Sequence, residues 1–143
     1  MKNLNKTEEH EKKVEELYFE LQSWKSNLNF INDEVIFIDH LLNSYVFEPD
    51  TPHLFQSLAD YEKRLKKSNE NKILLLKSIQ KHENSLGGIL ECDSTIRQHE
   101  LYQKQDKLKA EMVDYTSKYR DLKAEIFKYA SGILKKHKPT NHE

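Results

Sequence analysis

Between Val14 and Tyr45 the large apolar residues recur in steps of three and four without a miss: Val14, Leu17, Leu21, Trp24, Leu28, Ile31, Val35, Ile38, Leu42 and Tyr45. A mean step of 3.5 residues is the period of a helix that offers one continuous seam to partner helices. A strand would need alternation at every second residue, and no segment sustains it. So long a seam cannot be covered by a short domain, and the rest of the chain must supply its partners.

It does so twice. A second seam runs Leu54, Leu58, Tyr61, Leu65, Ser68, Lys72, Leu75, Ile79, His82, Leu86 and Ile89, with three polar members. A third runs Leu101, Gln105, Leu108, Met112, Tyr115, Tyr119, Leu122, Ile126, Tyr129 and Ile133. Punctuation is confined to two places. Glu48-Pro49-Asp50-Thr51-Pro52 ends the first segment, because Pro49 lacks a donor and drives Glu48 out of helical geometry. Thr51 and Pro52 then read as the cap and first residue of the next helix. The second break lies in LGGILECDST, where Gly87 can close a helix with positive φ and Asp93, Ser94 or Thr95 can cap the following one. Helix 1 is expected over about 5–47, starting with an Asn5/Glu8 capping box; helix 2 over about 52–88; helix 3 over about 94–137; residues 139–143 form a frayed tail.

Three seams of similar length joined by two short turns predict a single all-α domain over 1–143, a long antiparallel up-down-up bundle. In outline it resembles the long three-helix bundles of the spectrin-repeat type. That likeness is one of coiled-coil-like architecture and implies no activity. Folding the helices back about the two turns sets His82 near Leu17 and Gln98, Lys72 opposite Leu28 and Leu108, and Gln105 near Leu75 and Trp24.

The composition narrows the function classes. Net charge is −1 with acids and bases interspersed, unlike the concentrated basic face of a nucleic-acid binder. LKKHK at 134–138 suits the negative end of a helix dipole, so neither nucleic acid nor peripheral membrane contact is expected from it. No apolar stretch reaches the roughly 20 residues of a membrane span. MKNLNKTEEHEKK lacks the core of a signal peptide, and Cys92 has no partner for a disulfide, which together place the protein in the cytoplasm.

Motif chemistry is sparse. Seven histidines invite a metal, yet none has Glu three residues before it, the spacing that sets carboxylate and imidazole on one face in di-metal bundles. Asp50-x-x-His53 is the nearest approach and stands in a turn. His-Glu-x-x-His, the nucleophile elbow and the phosphate-binding loops are absent. Cys92 sits between Glu91 and Asp93, whose charges raise a thiol pKa. No catalytic residue, metal ligand or cofactor is expected.

Two features remain. Ser68, Lys72, His82 and Gln105 place polar groups on the seams, where such residues usually set register; with Trp24 they are also candidates for a small polar pocket. Apolar residues also lie off the seams. Phe30 and Phe37 are seven apart on the outer side of helix 1, with Ile36 and Leu41 nearby; Phe127 and Leu134 repeat the spacing on helix 3. The expected function is a non-enzymatic interaction or scaffold module that offers this stripe to a second copy or a partner helix. The alternative is a small-ligand-binding or regulatory bundle using the pocket near Trp24, Lys72 and Gln105.

Overall fold

The computed structural model describes residues 2–44, 52–88 and 95–136; the side chains of 2–8, 10, 11, 52–55, 95 and 134–136 are outside that description. It is an all-α three-helix bundle with α1 at Lys2–Leu42, α2 at Pro52–Leu86 and α3 at Thr95–Lys136, and no strand among the described residues. No described helix is long and apolar enough to cross a membrane.

The helix limits differ from expectation at three points. α1 begins at Lys2, so Asn5 lies inside the helix rather than capping it. α1 also stops at Leu42 instead of near Phe47. Asn43 explains the stop: its backbone NH and its side-chain amide both donate to the Asp39 carbonyl, at 3.1 and 2.8 Å. The side-chain bond offers the chain an alternative to continued helix, and Ser44 NH follows with a tighter bond to Leu41. Tyr45 and the Glu48–Pro52 stop signal up to Thr51 lie outside the described residues. Pro52 is the first residue of α2, where its missing NH costs nothing. The third difference is at Gly87. No described glycine has positive φ, and α2 ends through bonds of 3.2–3.4 Å from the Gly87 NH to the Glu83 and Asn84 carbonyls and from the Gly88 NH to the Ser85 carbonyl. The helix therefore tightens into a turn without a left-handed residue. The caps at Asp93 and Ser94 lie outside the described residues.

The chain forms two compact units, Met1–Phe30 with Lys72–Asp114 and Ile31–Asn71 with Tyr115–Glu143, so each helix contributes one segment to each. In the first unit the seams are buried as their period requires. Leu21 and Leu28 of α1, Ile79 of α2 and Leu108 of α3 are fully enclosed, and Val14, Leu17, Trp24, Leu75, Leu86 and Met112 are buried around them. Lys72, His82 and Gln105 are buried among the same seam positions.

The second unit is centred on Ile38, Leu42, Leu65, Leu122 and Ile126, with Val35, Leu58, Tyr61 and Tyr129 packed against them. Ile133 and Ala130 form a smaller cluster under Leu41 and Tyr129. Ala130 is off the seam; a methyl at that position lets Leu41 approach, which is why Leu41 is half-buried rather than exposed. Tyr61 and Tyr129 meet at a 5.2 Å centroid distance with rings tilted by 55°, a favourable aromatic geometry. Each fully buried aliphatic side chain contributes about 1.5–3 kcal/mol, so packing rather than helix propensity holds these segments.

Candidate functional sites: a buried polar layer and exposed apolar residues

In the first unit one polar layer joins all three helices. His82 Nε2 lies 2.6 Å from Gln105 Oε1. The Gln105 amide nitrogen donates to the Leu17 carbonyl at 3.1 Å and to Glu20 at 3.0 Å. Sequence pairing set His82 against Gln98 and Gln105 against Trp24; the structure gives His82 to Gln105 and Gln105 to Leu17, seven residues away in each case. The physical reason is polar satisfaction. Gln105 occupies a core position of α3, and a glutamine buried to 2% exposure must find partners for both ends of its amide. His82 and the Leu17 carbonyl provide them at this register.

Burial pushes the His82 pKa below 6.5, the bond to Gln105 pulls it back up, and the nearby Lys104 charge lowers it further. Its Nδ1 is buried and finds no hydrogen-bond partner among the described residues. At the rim of this unit Lys25 pairs with Glu83 at 3.1 Å, and Gln22 and Gln80 also donate to that carboxylate. Burial alone raises the Glu83 pKa, but the bonds and charge of Lys25, with the two amides, carry it below the usual carboxylate value. Lys109 approaches Glu20 at 3.8 Å.

The second unit holds a separate polar cluster. Tyr119 donates to Glu34 at 3.0 Å, and Lys123 pairs with the same carboxylate at 3.0 Å while lying over the Tyr119 ring. Tyr115 stacks on Tyr119 and receives Ser68 Oγ at 3.4 Å. Burial raises the pKa of both tyrosines, and the hydrogen bond to Glu34 together with its charge drives Tyr119 up further. Ser68 thus belongs to this cluster, whereas Trp24, Lys72, His82 and Gln105 are buried in the first unit.

The outer apolar residues fall on two flanks of α1. Glu34 reaches α3 through Tyr119 and Lys123, and Leu41, one heptad on, packs at the Ala130–Ile133 cluster. The α3-facing flank of α1 in this unit is therefore marked by Glu34 and Leu41. Phe37 lies three residues beyond Glu34 and four before Leu41, on the outer edge of that flank, and is 60% exposed. Phe127 stands four residues beyond Lys123 and three before Ala130, on the matching edge of α3, and is 41% exposed. By helical spacing, Phe37 and Leu41 fall on the α3-facing side of α1, and Phe127 falls on the side of α3 that carries Lys123. Ile36 turns the other way. It lines an open cleft of about 530 Å³ between α1 and α2, together with Asp39, His40, Asn43, Glu62 and Lys66. Phe30 is exposed on α1 in the first unit, and the Leu134 side chain lies outside the described residues.

Phe19, Ile73, Leu74, Ile96 and Val113 are also exposed. Among the described residues no group of three or more His, Cys, Asp or Glu could hold a metal ion; Cys92 and the Asp50–His53 spacing lie outside the description. No protein-family model, curated protein or solved structure matches the chain.

Proposed function

We propose that the protein is a non-enzymatic helical interaction module that docks the apolar face of another helix, from a second copy or a partner, on the exposed apolar residues of α1 and α3 in its second unit. The observation that supports it is the exposure of two phenylalanines, Phe37 on α1 and Phe127 on α3, next along their helices to Leu41 and Ala130, which pack together. A docked helix is held through anchors about one turn apart, and Phe37 and Leu41 stand one turn apart on α1. Covering the exposed parts of both rings removes about 200 Å² of apolar surface, worth roughly 5 kcal/mol, short of the roughly 8 kcal/mol of a micromolar complex. The expected association is therefore weak unless the partner adds contacts beyond these rings.

Light scattering across about 5–500 μM protein tests the self-association arm. A mass that rises with concentration, and that Phe37→Ser/Phe127→Ser returns to monomer, supports docking by a second copy. A monomer throughout sends the reading to a different partner, to be sought by co-purification with and without the same substitutions. Identical recovery by both forms of the protein would sink these residues as a docking site.

A second reading, a small-ligand or regulatory bundle, draws on the burial of Lys72, His82 and Gln105 in the same unit as Trp24. Its readout is Trp24 fluorescence: a saturable change with a metabolite fraction supports it, and an unchanged spectrum counts against it.

A further inference from the structure

The His82 layer has a feature that satisfied core histidines lack. The orientation of the Gln105 amide is set by its partners: the Leu17 carbonyl and the Glu20 carboxylate can only accept, so the nitrogen faces them and Oε1 faces His82. An oxygen acceptor 2.6 Å from Nε2 requires that Nε2 carry the proton. The ring is then neutral, and Nδ1 is left with a bare lone pair, buried and unmatched among the described residues. Protonation would add a donor at Nδ1 where no described acceptor lies, and would put a cation in a side chain only 2% exposed.

We propose that this layer is an acid-sensitive lock, which holds the three helix segments of the first unit in register while His82 is neutral and releases them when His82 takes up a proton. The surroundings offer the imidazolium no compensation. From α3 the facing charge is Lys104, which opposes protonation. From α1 it is Glu20, which is engaged by the Gln105 amide and approached by Lys109. On α2 the adjacent Glu83 is occupied by Lys25 and Gln22.

The sign follows from linkage. Burial holds the folded-state pKa of His82 below 6.5, so the unfolded chain binds the proton first. Stability is complete above about pH 6.5 and falls as pH drops from there toward the folded value, by at most about tenfold in the folding constant per pH unit.

The test is urea unfolding of the full chain at pH 7.5 and 5.5, for the wild type and for His82→Gln, whose amide can keep the bond to Gln105 without titrating. The wild-type folding constant should fall several-fold, with about tenfold as the ceiling, while the variant changes less than about twofold. Equal falls in both proteins would overturn the proposal. Nitrogen-15 NMR of the His82 ring gives a reading that needs no variant. Expected are a protonated Nε2, a bare Nδ1 and a titration midpoint below 6.5; a protonated Nδ1 at neutral pH, or a midpoint at or above 6.5, would overturn it.

Discussion

Replacing Gln105 by Leu isolates what the polar layer contributes to stability. The substitution removes the bond to His82, the bond to the Leu17 carbonyl and the bond to Glu20. Each is worth about 1 kcal/mol net, and the Glu20 bond less because that side chain is partly exposed. Orphaning the His82 Nε2–H adds about 1–3 kcal/mol, because a buried donor loses its partner outright. The Leu17 carbonyl suffers less, since a mid-helix carbonyl keeps its intrahelical bond. Burying leucine in place of the amide returns roughly 1–2 kcal/mol. The balance is a loss of about 3 kcal/mol, measured as a shift of the urea midpoint at constant slope. The sharper readout is the double-mutant cycle with His82→Leu. Replacing both partners by apolar groups should recover much of the loss, giving a coupling above about 1.5 kcal/mol at pH 7.5. Additive single and double variants, with coupling under about 0.5 kcal/mol, would refute the view that the two side chains act as one unit.

The remaining expectations concern other parts of the fold. Gly132→Ala should raise stability by about 0.5–1 kcal/mol in thermal unfolding, because this exposed glycine lies inside α3 and an added Cβ meets nothing within 4 Å. Ile126→Ala should cost about 2–5 kcal/mol from the fully buried centre of the second unit, while Arg64→Ala, which removes exposed pairs with Glu125 and Asp60, should leave the urea midpoint nearly unmoved. Glu83, with its folded pKa depressed by Lys25 after its burial cost is met, contributes stability present above about pH 4.5 and lost as pH falls through the folded value. Glu83→Gln should therefore flatten the stability profile between about pH 5 and 3, and an unchanged slope there would remove Glu83 from the acid response.

The candidate residues were legible in the sequence to different depths. His82, Lys72 and Gln105 stand out because polar side chains on a seam must be buried, and all three are. Phe37 and Phe127 stand out because they fall off the seams, and both are exposed. Which flank of α1 faces α3 was not legible, since it is carried by the Glu34 contacts with Tyr119 and Lys123. The separation of Ile36 onto the α2 side and of Ser68 to Tyr115 has the same origin. Asn43 ended α1 early through a side-chain bond that its presence inside an apolar repeat conceals.

Local sequence decided the helical class and the seam on each helix, because a 3.5-residue period sorts each position to the inside or the outside without reference to any partner. Every described seam residue is buried or half-buried accordingly. Tertiary structure alone decided the register, pairing His82 with Gln105 rather than with Gln98. A repeat of seven looks the same after a slide of seven, so apolar burial is nearly indifferent to that choice. Only side chains with directional needs, brought together in three dimensions, can tell one register from the next.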